Sequence, residues 1–213
     1  MSDHYPQFSA IEIRVLGTLI EKSRITPDYY PMTLNALTAA CNQKTARWPV
    51  TDYSDEDVQA ALQTLKGYSL AATAVGAGSR VVKYKHNFIT VHPVSDAELA
   101  VLCLLFLRGP QTPGELNTNA GRLFEFASSA SVHELLINMM SAEHPMVKEL
   151  SKQAGQKEAR FAHLFSPVVE GNTAGEIEME APSQGTLTSR VEQLEARVAE
   201  LTAQLERITK ELF

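Results

Sequence analysis

The chain has 213 residues, 44% hydrophobic and 21% charged, the makeup of a globular protein long enough for one or two cores. Its longest apolar run, LAVLCLLFL from Leu99 to Leu107, is about half the ~20 residues that cross a bilayer; with no signal-peptide pattern in MSDHYPQ, the expectation is a cytoplasmic protein with no membrane partner. The net charge of -6 divides unevenly: residues 1–94 hold nine Lys+Arg against eight Asp+Glu, residues 95–166 six against eight, and residues 167–213 four against nine, so a near-neutral body excludes neither nucleic acid nor protein as partner.

The first helix is expected from Ser9, where SAIEIRVLGTLI carries one broad apolar face. A second runs from Thr33 to Gln43 and leaves through ACNQKTARWPV, which crowds Asn42, Gln43, Lys44, Thr45, Arg47 and the one tryptophan, Trp48, before Pro49. Beside the N-terminus of a third helix, Lys44 and Arg47 are candidate phosphate contacts, with Asn42 and Gln43 as neutral donors. The competing reading plugs the core with Trp48 and stacks Arg47 on its indole face; burial is the commoner use of a tryptophan. Cys41 and Cys103 lie among helical apolar residues with no CxxC pair, which suits buried thiols in a reducing compartment.

The third helix is expected over Asp55 to Tyr68, capped by Ser54 with Asp57. Asp55, Glu56 and Asp57 in its first turn complement the helix dipole but repel phosphate. A hairpin follows, turning at VGAGSR. Strand alternation in RVVKYKHNF sets Lys83 and Lys85 on one face and Val82, Tyr84 and His86 on the other.

The order then repeats. SDAELAVLCLLF from Ser95 matches SAIEIRVLGTLI from Ser9 at Glu12/Glu98, Val15/Val101, Leu16/Leu102 and Leu19/Leu105; KEARFAHLF from Lys157 matches RVVKYKHNF from Arg80 at Lys83/Arg160, Tyr84/Phe161, His86/His163 and Phe88/Phe165. Between them lie helical segments from Pro113 to Phe126 and from Val132 to Glu143, the latter with a Ser131/Glu134 cap, and a turn in SKQAGQKE. His133 and Asn138 are offered by this third helix, but no lysine or arginine. By parity with Tyr84 and Phe161, His86 and His163 point inward as core or partly buried histidines.

Three helices and a hairpin, twice, is the winged helix-turn-helix plan. The expected fold class is mainly α with small β-hairpins (α+β): winged-helix domains over 1–94 and 95–166, an acidic flexible linker over 167–186 and a C-terminal coiled-coil helix over 187–213. In that last segment Leu187, Val191, Leu194, Val198, Leu201, Leu205, Ile208 and Leu212 alternate spacings of four and three, a heptad seam that leads to the expectation of a homodimer. Folding back of the helix onto its own domains is the alternative.

LGTLIEKSRITPDYYPMTLNALTAACNQKTARWPV, LRGPQTPGEL and EARFAHLF closely resemble the YceH-like family of uncharacterised bacterial proteins, over roughly residues 8–166. The resemblance implies a tandem winged-helix fold and supplies no activity. Function rests on the residues: three cations on each wing, Arg80, Lys83 and Lys85, then Lys152, Lys157 and Arg160, are candidate phosphate contacts. Double-stranded DNA is the first expected partner, for a transcription-regulator-like protein. The alternative is a protein-docking module resembling the acidic tandem winged-helix subunits of bacterial chromosome-condensation complexes. With no glycine-rich phosphate loop, GxSxG, HExxH or Cys/His cluster, no enzymatic activity, metal or cofactor is expected.

Overall fold

The computed structural model describes residues 5–74, 81–152 and 158–167. Arg80, Lys157 and the heptad positions from Leu187 to Leu212 lie outside the described residues.

Among the described residues, each helix longer than two turns starts where a short polar side chain can satisfy free amides. Helix α1 (Ala10–Ile25) follows Ser9, whose N–H donates to Glu12. Thr33 accepts from the Ala36 amide ahead of α2 (Leu34–Cys41). Ser54 and Asp57 close a reciprocal box on α3 (Asp55–Gly67), as Ser95 and Glu98 do on α5 (Asp96–Arg108) and Thr112 and Glu115 on α6 (Pro113–Ala120). Helix α7 (Ser129–Ser141) corrects the sequence expectation: its cap is Ser128 with Ser131, three residues ahead of the expected one. The SSAS stretch offers two serine caps, and the earlier one adds a turn while Val132, Leu136 and Met139 still face the core. Helix α6 also ends at Ala120, well before Phe126. A short helix, α4 (Phe88–Val91), ends the first half, at the position where strand alternation in RVVKYKHNF predicts continued strand.

The hairpins are small and matched. Strands β1 (Ala71–Ala74) and β2 (Lys83–His86) pair antiparallel with Thr73 opposite Tyr84, and β3 (Val147–Glu149) and β4 (Phe161–His163) with Glu149 opposite Phe161. Each hairpin gains a third, one-residue strand from the link between its half's first two helices. Met32 and Tyr84 exchange N–H···O bonds of 3.0 and 2.7 Å; Gln111 and Phe161 exchange bonds of 3.1 and 2.8 Å. The result is an α+β, winged-helix-like arrangement in both halves, with the matched Tyr84 and Phe161 in the same structural role.

The halves share one apolar cluster. Helices α1 and α5 pack face to face, and every residue from Ile13 to Glu21 and from Leu99 to Leu107 is buried. Gly17 makes the approach possible: a Cβ there would stand 2.9 Å from Phe106 Cβ and 3.0 Å from Leu107 Cδ2. The entering segment also reaches the far half, with Phe8 N–H bonded to Phe165 O at 2.8 Å and Tyr5 Oη to His144 O at 3.0 Å. Among the described residues no helix is long and apolar enough to cross a membrane.

Candidate functional site

The loop from Asn42 to Tyr53 inverts the expected roles of its two most prominent residues. Ala46 takes the left-handed conformation, φ 59°, unusual for a residue with a Cβ. Arg47 then enters the core, 4% exposed, while Trp48 is 39% exposed. Arg47 donates from Nη1 and Nη2 to Glu21 Oε1 and Oε2 at 2.9 and 2.6 Å, and from Nε to Ala40 O at 3.2 Å. Arg47 is therefore not a phosphate contact, and Trp48 neither plugs the core nor lies under the guanidinium as a buried ring. Lys44 is exposed.

A second buried arginine holds the far side of the loop. Arg14 donates to Pro49 O at 2.6 Å, Cys41 O at 3.0 Å and Thr51 Oγ1 at 3.2 Å. Asn42 brackets Tyr53, donating to its carbonyl at 2.8 Å and accepting from its amide at 2.9 Å; Trp48 N–H bonds to Leu107 O of α5 at 2.9 Å. Trp48 and Val50, 52% exposed, are thus displayed on a loop fixed from beneath. Burial would raise the Glu21 carboxyl, but the hydrogen bonds and charge of Arg47, helped by Lys22, outweigh it and hold that carboxyl low. Burial also lowers Arg14 and raises the Cys41 and Cys103 thiols, which leaves both cysteines protonated and poor nucleophiles.

The signal for Arg47 was Glu21: a carboxylate inside the apolar face of α1, one turn after Gly17, calls for a buried cation.

On the first wing the alternation holds from the strand's start. Lys83 and Lys85 are exposed, and Tyr84 between them is buried, its Oη donating to Gln59 Oε1 of α3 at 3.1 Å. Val82 lies just ahead of the strand and is 45% exposed, against the inward side expected for it. On the second wing Lys152 is exposed. Arg160, however, is engaged by Glu115 through two 2.8 Å bonds and by Pro110 O at 2.9 Å, a bidentate pairing that occupies its fork. Its expected freedom to reach phosphate does not hold.

The histidines are inward as parity indicated. His86 is half-buried, its Nε2 3.0 Å from Ser23 Oγ, and His163 is buried; in each the amide two residues on, of Phe88 or Phe165, donates to Nδ1 at 3.3 or 3.2 Å. Burial lowers both rings to a pKa of about 4, with Arg24 a lesser contributor at His86. Glu56 and Asp57 are exposed on the first turn of α3. Bonds from Ser54, amide first and hydroxyl second, hold the Asp57 carboxyl low. On α7 the outward residues include His133, Glu134, Ile137 and Asn138. Among the described residues no three His, Cys, Asp or Glu side chains group as metal ligands.

Residues 8–156 match a family described as "Protein of unknown function, DUF480". The chain is 46% identical over 208 residues to a UPF0502 protein of Aliivibrio fischeri strain MJ11, covering 95% of each chain. It is 43% identical over 215 residues to a UPF0502 protein of Shewanella sp. strain MR-4, covering 94% of this chain and 97% of that one. A UPF0502 protein of Aliivibrio salmonicida is 44% identical over 211 residues, with 95% and 96% covered. The chain belongs to the DUF480 family of uncharacterised bacterial proteins, in agreement with the resemblance carried by its own residues.

Proposed function

We propose that the protein is a DNA-associated, regulator-like binding protein that grips duplex backbone with its first wing and reads bases weakly. The carrying observation is the pair Lys83 and Lys85, exposed on one face of a strand whose intervening Tyr84 is anchored to Met32 and Gln59. Anchoring keeps the two cations projected outward, where phosphate contacts add sequence-independent affinity. Exposed Lys44 and Lys152 extend the basic set. The acidic first turn of α3 and the absence of cations on α7 argue against strong base readout. The heptad pattern of residues 187–212 supports a homodimer, and light scattering of a Leu194→Asp/Leu201→Asp variant tests it: an unchanged mass refutes pairing through that seam.

Fluorescence anisotropy on mixed-sequence duplexes across a salt series tests the DNA reading. Lys83→Ala/Lys85→Ala should weaken all duplexes alike and flatten the log-log salt slope by ~1.8. No binding at low salt rejects direct DNA contact, and an unchanged slope rejects the wing as its surface. A second reading, protein docking, draws on the exposed Trp48 and Val50 held by Arg14 and Arg47 and on the exposed carboxylates of α3. It predicts partner binding indifferent to Lys83 and Lys85. No catalytic role is proposed.

A further inference from the structure

The two halves match around the wing cation as well as along it. PMTLNAL from Pro31 and PQTPGEL from Pro110 agree at Pro31/Pro110, Thr33/Thr112 and Leu37/Leu116, and both leucines are buried. The structure equates these stretches. Met32 and Gln111 each add the one-residue strand to their wing, against Tyr84 and Phe161. Thr33 and Thr112 each cap the helix that follows by accepting from the amide three residues on, of Ala36 or Glu115. Lys83 and Arg160, each one residue ahead of the matched ring, therefore hold the same place in two copies of one frame.

In the second copy that cation already grips an anion. The Glu115 carboxylate accepts from Arg160 Nη1 and Nη2 at 2.8 Å each and from the Thr112 amide at 2.8 Å, while Arg160 Nη1 also donates to Pro110 O at 2.9 Å. In the first copy the residue matched to Glu115 is Ala36, exposed next to exposed Asn35 in the first turn of α2. Among the described residues no carboxylate pairs with Lys83. The two cations differ in keeping with this. The planar fork of Arg160 fits one fixed carboxylate, whereas an ammonium is a hydrated point charge that serves any phosphate oxygen presented to it.

We propose that a phosphodiester of duplex DNA takes, in the first half, the place that the Glu115 carboxylate takes in the second. It lies between Lys83 of the wing and the first turn of α2, with the Asn35 side-chain amide as a neutral donor. This rests on the DNA reading of the first wing and adds to it a second wall, α2, and a residue, Ala36, whose small side chain admits the phosphate. Glu115 is correspondingly a built-in phosphate mimic: it closes the matched place in the second half, so each chain carries one such clasp.

Ala36→Glu tests the inference by giving the first half the carboxylate of the second. A glutamate three residues after Thr33 completes a capping box, so the full-length variant should melt no lower than the parent, and a loss of binding is not a loss of folding. Fluorescence anisotropy on mixed-sequence duplexes across a salt series should show its log-log slope flattened by ~0.9, one phosphate contact. Lys83→Ala should do the same. Because both changes remove the same contact, Ala36→Glu/Lys83→Ala should flatten the slope by ~0.9 again and not by ~1.8. If Ala36→Glu keeps the parent slope while Lys83→Ala/Lys85→Ala flattens it, the inference falls and the wing reading stands; a parent with no affinity at low salt removes both. Additive losses in the double variant would also overturn the inference, because they assign Ala36→Glu to general repulsion. So would inorganic phosphate that displaces duplex far better than chloride at equal ionic strength, which would give the place to a free anion.

Discussion

Acid should unfold this protein through two rings that must stay neutral. His86 and His163 occupy matched places, and in each Nδ1 accepts from a backbone amide, of Phe88 or Phe165, so a proton on Nδ1 destroys that bond. Burial holds both at a pKa of about 4, against ~6.5 in the unfolded chain. A depressed histidine binds its proton more readily when unfolded. Its stabilising contribution is therefore whole above pH ~6.5 and is lost as pH falls toward the folded value. Each pH unit removes ~1.4 kcal/mol per ring, so by pH ~4.5 the pair withdraws ~5 kcal/mol, comparable to the whole stability of a small domain. His92, also lowered by burial, adds in the same direction. Glu21 does not confuse this window: its carboxyl is held low, so its contribution fades only in stronger acid. Urea titrations at steps from pH ~8 to ~4.5 should show the fall. In His86→Asn/His163→Asn, where Oδ1 can accept the same amide without titrating, most of it should vanish. A parent whose stability is flat between pH ~6.5 and ~5, or a double variant that loses as much as the parent, would refute the reasoning.

Arg47→Ala should destabilise by ~3 to 5 kcal/mol by stranding Glu21, whereas Trp48→Ala, at a residue 39% exposed that leaves no buried charge behind, should lose less than that; thermal melts that reverse this order would show that the loop is not held as described. Gly17→Ala should lose ~1 to 3 kcal/mol through overpacking against Phe106 Cβ, and a variant as stable as the parent in urea would show that α1 and α5 separate easily.

What could be read from the sequence was whatever recurs at short range. The apolar faces of α1 and α5, the Ser54/Asp57 cap and the strand parity of Tyr84 and Phe161 all depend on spacings within a few residues, and the repeat is legible because those local patterns recur in each half. The site was less legible because its outcomes depend on distant partners. Arg47 turns inward because Ala46 takes φ 59° and Glu21, 26 positions away, waits in the core. Arg160 is neutralised by Glu115 across 45 positions. Neither pairing leaves a local pattern, and a cation in a loop or strand looks the same from sequence whether solvated or spoken for. The Ser131 cap failed for the opposite reason: two local signals, three residues apart, were both sound, and the earlier one adds a turn without changing the face that Val132, Leu136 and Met139 bury.

The seam at Gly17 has a consequence for biosynthesis. Helix α1 is complete at Ile25, but the helix that covers its Gly17 face begins at Asp96 and ends at Arg108. On the ribosome that apolar face waits for some 80 further residues, roughly 4 to 16 s at ordinary elongation rates. By the end of that interval the first three helices and their wing have been synthesised, while one side of the central helix is still uncovered. Nascent chains on neighbouring ribosomes can meet through that side. Slow translation between Ile25 and Arg108 would lengthen the exposure, and a chaperone that shields short apolar helices would have its main work on this protein there.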